Sequence, residues 1–153
     1  MTASINANAT KSAFRRETGV AVNIRAGSEK IWALLTDAAR MSQWNSTIIS
    51  VEGRIALNET IHLKSTLSPD RTFNLKVTEF APGSKLVWED GVAPMFKGVR
   101  TYTLTPKGDG TTDFSMVEVI SGLMLPLIGR SLPDFKPNFE QYAADLKREA
   151  ERS

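Results

Sequence analysis

The 153-residue sequence contains no cysteine and a single histidine, His62. Without cysteine, the chain cannot form disulfides, bind zinc or iron–sulfur clusters through thiolates, or use a thiol nucleophile. With one histidine it cannot build a multi-histidine metal site, and a Ser–His–Asp triad would have to use His62. We therefore expect no metal and no cofactor, and a function that depends on shape, aromatic rings and a few charged groups.

Long apolar runs and long basic runs are also missing. The densest apolar segment covers residues 123–128, far below the ~18 residues that a membrane span needs. Lys and Arg number 19 against 17 Asp and Glu, for a net charge of +2, and no basic run is longer than two residues. Residues 1–11 lack the apolar core of a signal peptide. We expect a cytoplasmic protein with no nucleic-acid partner and no integral membrane association.

The composition is that of one globular domain. Hydrophobic residues make up 41% and charged residues 24% of the chain, and no repeat or linker marks a second domain. Because residues 1–12 are polar and rich in alanine, we expect a flexible N-terminal tail there. The single domain is then expected to span residues 13–153.

Hydrophobic periodicity changes twice along the chain. Residues 14–24 alternate as a strand does, and two short helical segments follow, carrying Ile31, Leu35 and Trp44. From Thr47 the period is two for about seventy residues, interrupted by short turns that predict an antiparallel meander. A final helix is predicted from about Asn138, after an irregular approach. The pattern predicts an α+β fold with a curved sheet of about seven strands gripping a long C-terminal helix.

Turn positions predict which residues face each other across the strands. The loop at residues 107–110 and the segment 91–96 are expected to close two hairpins. The expected pairs are Tyr102 with Phe114, Arg100 with Met116, Trp88 with Arg100, and Asp90 with Gly98. Counting by twos then places Asp90, Arg100 and Glu118 on the apolar face, with Glu79 further along it.

Three charges on a covered face require partners, since an unpaired buried charge costs several kcal/mol. In one interpretation, Arg100 orients a ligand oxygen while Glu118 or Asp90 acts as a base. In the other, these groups form a structural ion pair, or the register slips by one residue and turns them to solvent. The catalytic residues are therefore left unassigned, with these three as candidates.

Aromatic and apolar side chains on the same face complete the predicted ligand-binding set, although core packing accounts for the same pattern. His62 alternates with apolar neighbours and should face water. The predicted set is Trp88, Arg100, Tyr102, Phe114, Met116, Glu118, Phe139 and Tyr142.

The apolar segment at residues 122–129 has two open interpretations. Glycines bracket it at both ends, which would suit a flexible flap over a cavity mouth. It could equally form the first turn of the closing helix.

Several motifs resemble the START-like (SRPBCC) superfamily, which includes polyketide cyclase/dehydratase-like proteins and lipid-transfer domains. The run AGSEKIWALLTD at residues 26–37, followed by Trp44, resembles its opening signature. Later matches are Gly53, Leu86-Val87-Trp88, residues 102–106, residues 110–112 and residues 118–122. The resemblance covers about residues 14–151 and implies a helix-grip fold with an apolar cavity between sheet and final helix.

Three functions remain open after this resemblance. The first is binding of a small hydrophobic or aromatic molecule, of the lipid or polyketide class, in the cavity. The second is a cofactor-independent enzyme of the polyketide cyclase/dehydratase type, and the third is a protein-interaction module. A cavity above roughly a few hundred Å³ would favour the first two, and a filled core the third. The sequence leaves a homodimer open as well.

Overall fold

The computed structural model describes residues 4–152 as an eight-stranded antiparallel sheet with four helices. The strands are β1 (Asn6–Lys11), β2 (Arg15–Ile24), β3 (Ile48–Glu52), β4 (Thr60–Ser65), β5 (Phe73–Ala81), β6 (Lys85–Val92), β7 (Phe96–Pro106) and β8 (Thr112–Ser121). The helices are α1 (Ser28–Thr36), α2 (Met41–Trp44), α3 (Leu125–Ile128) and α4 (Lys136–Ala150). Short 3-10 turns, Ala38–Arg40 and Gly129–Ser131, precede α2 and follow α3.

The strands lie in the order β1-β2-β8-β7-β6-β5-β4-β3. From β3 to β8 each strand pairs with its neighbour in sequence, because the connecting turns are too short for anything but antiparallel pairs. The last strand, β8, pairs with β2 along ten residue positions, Arg15–Ile24, and so joins the N-terminal strands to the rest of the sheet. The predicted helix-grip α+β fold is confirmed, with one strand more than expected.

The additional strand lies in the segment predicted to be a flexible tail. The structure differs from that expectation over Asn6–Lys11, which pairs with β2 along its whole length. Almost every β1 side chain is exposed, so the strand has no apolar face to produce an alternating pattern. Backbone hydrogen bonds to the edge of β2 hold it, and these leave no signature in the side chains. Residues 1–3 of the predicted tail lie outside the described residues.

Helix α4 covers one face of the sheet with its apolar side. Phe139, Tyr142 and Leu146 recur at helical spacing and are each no more than 2% exposed. The helix begins at Lys136, two residues before the predicted start, and holds Pro137 in its first turn. Proline costs little there because a first-turn N–H has no helical partner to lose.

A buried carboxylate ties the middle of α4 to the chain just before β3. Asp145, only 1% exposed, accepts hydrogen bonds from the backbone N–H and the hydroxyl of Ser46, at 2.7 and 2.6 Å, and from Gln141 at 2.8 Å. Burial alone would raise the pKa of Asp145, but these hydrogen bonds outweigh it and hold the pKa below its usual value. This contact fixes the distance between α4 and the sheet.

A second carboxylate fixes the end of α4 to the junction of β2 and α1. Glu151 accepts hydrogen bonds from the backbone N–H of Arg25 at 2.9 Å and from its guanidinium at 3.1 Å, and also from Lys147. These donors outweigh the opposing effect of burial and lower the pKa of Glu151 to about 2.

Among residues 4–152, no helix is long and apolar enough to cross a membrane.

Candidate functional site

A cavity of about 120 Å³ lies between the concave face of the sheet and the start of α4. Its walls come from β3 to β8, from the β4–β5 turn and from the segment that leads into α4. The lining residues are Thr47, Ile48, Leu63, Ser65, Leu67, Ser68, Arg71, Phe73, Leu75, Trp88, Asp90, Phe96, Gly98, Arg100, Glu118, Ile120, Leu132, Pro133, Phe135 and Asn138. Most of them are apolar, and Arg71, Asp90, Arg100 and Glu118 supply all of its charges.

Strand register brings three of the predicted charged residues to this cavity. The predicted pairs Trp88 with Arg100 and Asp90 with Gly98 are confirmed. Arg100, however, lies opposite Glu118 and not opposite Met116 as predicted. The β7–β8 loop spans residues 107–111, two residues more than the predicted pairs imply, so the pairing moves by two positions. A shift of two keeps every side chain on its predicted face.

Tyr102 is the other residue affected by that shift. It lies opposite Met116, whereas the prediction placed it opposite Phe114, which instead faces Leu104. Tyr102, Phe114 and Met116 nevertheless stay on the inner face and are each no more than 1% exposed. The correction therefore changes neighbours within the core and moves nothing to the surface.

The Arg100 side chain lines the cavity and contacts Glu118 and Tyr102 on the sheet and Phe139 on α4. Its Nε donates to Glu118 Oε1 at 2.8 Å, and Nη1 is 3.5 Å from the Tyr102 hydroxyl. The guanidinium carbon is 5.0 Å from the centre of the Phe139 ring, a cation–π distance. Within residues 4–152 the remaining guanidinium N–H groups make no hydrogen bond to another side chain or to the backbone. Because Arg100 lines the cavity, these donors are available to an oxygen bound there.

Arg100 keeps its positive charge although its side chain is only 13% exposed. Burial by itself lowers the pKa of a guanidinium, but the Glu118 carboxylate opposes this strongly, and the pKa of Arg100 is raised overall. The cavity therefore contains a permanent cation with one carboxylate partner.

Asp90 is a second carboxylate on the cavity wall, and it lies half-buried on β6. Burial raises the pKa of the Asp90 carboxyl, and repulsion from Glu118 raises it further, against the opposing attraction of Arg71 and Arg100. Gly98, its partner on β7, makes room for it: a Cβ at residue 98 would lie 2.9 Å from Asp90 Oδ1. In the described part of the chain no side chain forms an ion pair with Asp90.

The predicted aromatic residues fall into two groups. Trp88 lines the cavity, whereas Tyr102, Phe114, Met116, Phe139 and Tyr142 are buried in the core and do not line it. Ring centres are 5.1 Å apart for Trp88 and Tyr102, and 5.9 Å for Tyr102 and Tyr142. Burial raises the pKa of both tyrosine hydroxyls. The buried cluster therefore packs against Trp88 and Arg100 without reaching the cavity.

Two other predictions about individual residues had different outcomes. Glu79 was expected on the apolar face but is exposed and pairs with Lys85 at 3.0 Å. A β-bulge between Val77 and Glu79 adds one residue and reverses the alternation, so the prediction was wrong. His62 is exposed as predicted, with Nδ1 2.6 Å from Asn74 Oδ1.

Sequence reasoning missed the cavity residues that lie in loops. Leu132, Pro133 and Phe135 form one wall, and Arg71 lies over the Phe73 ring with 4.6 Å from the guanidinium carbon to the ring centre. Periodicity assigns a face only within regular strands and helices, so it carries no information at these positions.

The segment at residues 122–129 is not the first turn of α4. It contains the separate four-residue helix α3 and lines no part of the cavity. Backbone N–H groups of Leu123 and Met124 donate to the carbonyls of Pro94 and Met95, both at 2.9 Å, and fix the segment to the β6–β7 turn.

An open cleft of about 390 Å³ lies on the other side of the segment that precedes α4. Its lining residues are Ala9, Thr10, Lys11, Arg16, Thr18, Leu132, Pro133, Asp134, Phe135 and Lys136. Leu132, Pro133 and Phe135 line both spaces. These residues therefore form a wall shared by cavity and cleft.

Solved structures share this architecture at low sequence identity. A START superfamily protein from Mycobacterium smegmatis superposes with a TM-score of 0.65 at 17% identity, covering 88% of this chain and 97% of that chain. A protein from Mesorhizobium loti gives a TM-score of 0.63 at 22% identity, with coverages of 85% and 94%. A conserved protein of unknown function from Enterococcus faecalis gives 0.65 at 16% identity, with coverages of 94% and 75%. At these identities the likeness concerns the fold alone.

Sequence comparison assigns the chain to a family, whereas the structural comparison shows only a shared fold. No curated protein matches it. The profile of one family, described as "Polyketide cyclase / dehydrase and lipid transport", matches residues 15–151. That match runs from the start of β2 to the residue after α4 and includes the whole cavity. The chain belongs to the polyketide cyclase/dehydrase and lipid transport family.

Proposed function

We propose that the protein binds a small hydrophobic or aromatic molecule carrying an anionic or carbonyl oxygen. The apolar part would lie against Trp88, Phe73 and Phe96, and the oxygen would accept hydrogen bonds from Arg100. One observation carries the proposal: a permanently charged guanidinium presents unpartnered donors to an otherwise mostly apolar cavity. Such donors gain a strong charge-assisted hydrogen bond when an oxygen replaces water there.

The cavity volume limits the size of the ligand. About 120 Å³ is neither a filled core nor the expected few hundred Å³, so volume alone does not separate binding or catalysis from an interaction module. It is also less than the roughly 300–1,000 Å³ of sites for drug-sized ligands. It is close to the ~150 Å³ apolar cavity known to hold benzene in an engineered protein. We therefore expect a ligand with one ring or a short acyl chain. The lipid and polyketide ligands of the family description would need the Leu132–Pro133–Phe135 wall to move.

Spectroscopic titration tests this assignment because Trp88 lines the cavity and reports on its contents. We expect benzoate to quench or shift Trp88 fluorescence at lower concentration than benzyl alcohol, which has the same ring but no charge. Arg100→Gln should weaken benzoate binding about tenfold or more, the loss of one charge-assisted hydrogen bond. Benzyl alcohol binding should change little.

Two controls keep this test interpretable. Arg54→Gln removes an exposed arginine that does not line the cavity and should leave benzoate binding unchanged. The double variant Arg100→Gln/Glu118→Gln removes both charges and avoids leaving a carboxylate buried alone. Equal affinity for benzoate and benzyl alcohol in the unmodified protein would reject the role of Arg100. Native mass spectrometry of the freshly purified protein would then identify any hydrophobic molecule that it retains.

A second function, cofactor-independent catalysis, is favoured by Asp90. The raised pKa of its carboxyl suits it to removing a proton next to a ligand carbonyl, while Arg100 stabilises the enolate oxygen. The C–H electron pair would become the enolate C=C bond, and the proton would pass to Asp90. Exchange of the α-protons of cyclohexanone into D₂O, followed by NMR, measures this step. Exchange in the unmodified protein that Asp90→Asn abolishes supports catalysis, and exchange no faster than in buffer excludes it for this probe.

A further inference from the structure

Exposed apolar side chains collect at one end of the molecule. Among the described residues seven large hydrophobic side chains are exposed, and five of them belong to three neighbouring segments. The five, with their exposed fractions, are Phe14 (53%), Val92 (77%), Met95 (49%), Leu123 (57%) and Leu127 (76%). We call them the apolar end. The other two, Ile49 and Leu57, lie in β3 and in the β3–β4 loop.

Backbone hydrogen bonds join the three segments that carry the apolar end. The N–H of Gly122 donates to the carbonyl of Phe14 at 3.0 Å, and the N–H of Leu123 donates to Pro94 at 2.9 Å. The β1–β2 turn, the β6–β7 turn and the α3 segment therefore form one continuous surface. Leu123 lies in the turn just before α3 and Leu127 lies within α3, and both side chains are exposed.

The charges in these segments all have one sign. Residues 11–16, 91–98 and 121–133 contain five cations and no carboxylate: Lys11, Arg15, Arg16, Lys97 and Arg130. Arg15 pairs with Glu17 and Lys97 with Glu89, both outside these segments. Arg16 donates to the Gly129 carbonyl at 2.9 Å, and Arg130 is exposed on the turn after α3. An apolar surface bordered by cations is complementary to a lipid surface that carries negative headgroups.

We propose that the apolar end docks peripherally on an anionic lipid bilayer. The side chains of Val92, Leu123 and Leu127 enter the boundary between headgroups and acyl chains, and Lys11 and Arg130 contact lipid phosphates. A two-fold contact between copies of this chain would place the same cations against each other, which opposes a dimer through this surface. The docking proposal does not depend on which ligand the cavity holds.

The position of the apolar end relates docking to the cavity. Met95 at the apolar end is followed directly by Phe96, which lines the cavity, and residues 122–131 lead into the wall formed by Leu132, Pro133 and Phe135. Docking would bring the cavity wall next to the bilayer, from which an apolar ligand can enter without crossing water.

Vesicle co-sedimentation tests the proposal with the full chain. We expect the unmodified protein to bind vesicles in which about a third of the lipid is phosphatidylserine at least fivefold more tightly than phosphatidylcholine vesicles, and added salt to weaken that binding. Leu123→Ser/Leu127→Ser should abolish binding. Arg130→Glu changes the charge by two units and should reduce binding about 25-fold, since each unit of charge near an anionic surface is worth about a factor of five.

Matched variants separate docking from nonspecific stickiness. Ile49→Ser/Leu57→Ser removes the two exposed apolar side chains elsewhere, and Arg54→Glu reverses an exposed cation elsewhere. Both should bind vesicles as the unmodified protein does, and thermal melts should show all variants folded. If the unmodified protein binds neither vesicle, or if Leu123→Ser/Leu127→Ser binds as well as it does, the proposal is wrong. Concentration-dependent association that this variant alone loses, without vesicle binding, would assign the surface to a protein contact instead.

Discussion

Arg100 and Glu118 face each other across β7 and β8, joined by a 2.8 Å hydrogen bond from Nε to Oε1 on the inner face of the sheet. Their side chains are 13% and 19% exposed, so each carries a charge that water can only partly solvate. In this setting, removing one partner destabilises more than the pair itself contributes, because the remaining charge keeps its desolvation cost.

Glu118→Ala should therefore lower the free energy of unfolding by about 2–4 kcal/mol. Arg100→Met/Glu118→Ala should recover part of that loss, since no charge is then left alone. Urea denaturation of the two single variants and the double variant measures the coupling. Arg15 and Glu17 provide the control: their 2.7 Å ion pair is exposed, and its removal should cost less than about 1 kcal/mol. Equal losses at both pairs would contradict the argument.

Asp90→Asn should stabilise the protein near neutral pH. Since burial raises the pKa of Asp90 in the folded state, the folded chain holds this proton more tightly than the unfolded chain does. Stability then falls as the pH rises through the folded pKa, and the full penalty is present above it. Melting temperatures measured from about pH 3 to pH 7 should show a gain for Asp90→Asn at the upper end that disappears at the lower end. A gain that is independent of pH would point to packing and not to charge.

Glu151→Gln should have the opposite dependence on pH. The pKa of Glu151 is about 2 in the fold, compared with 4.5 ordinarily, so its carboxylate stabilises the fold above about pH 4.5 and loses that effect as the pH falls toward 2. The variant should lose about 2–3 kcal/mol near pH 7 and almost nothing near pH 2. Glu149→Gln, whose partner Arg152 is largely exposed, should change the acid-unfolding profile little.

Gly122→Ala should disrupt the apolar end. Gly122 has a φ of +135°, and a Cβ there would lie 2.2 Å from the Met95 carbonyl oxygen. The backbone must move, so the two hydrogen bonds from residues 123 and 124 to the β6–β7 turn should break. Hydrogen exchange of these amides should accelerate strongly. Gly108→Ala is the control: its φ is +74° with nothing within 4 Å of the added atom, and it should cost only about 1 kcal/mol.

Alternation along strands predicted the inner face of the sheet well. Arg100, Asp90 and Glu118 were placed on it from turn positions alone, and an error of two residues in the β7–β8 register left them there. This alternation gives the wrong face where an extra residue is inserted into a strand. The bulge before Glu79 reversed its side chain, and no feature of the local sequence indicates that bulge.

The cavity itself was less predictable than the sheet. Part of its apolar enclosure comes from Leu132, Pro133 and Phe135, whose positions depend on where α4 begins and not on any repeat. Strand β1 was missed for a related reason: its contribution is backbone pairing, and its side chains remain in water. A hydrophobic pattern in the sequence shows only which side chains are buried at regular intervals. Neither the loop segments of the cavity wall nor strand β1 has buried side chains at regular intervals.

The wall shared by cavity and cleft gives this fold a simple route to new ligands. Because Leu132, Pro133 and Phe135 line both a cavity of about 120 Å³ and an open cleft of about 390 Å³, shortening those side chains would enlarge the space available to a ligand. The sheet, the Arg100–Glu118 pair and the packing of α4 would remain as they are. Ligand size can thus change through three positions while the polar recognition of the ligand is kept.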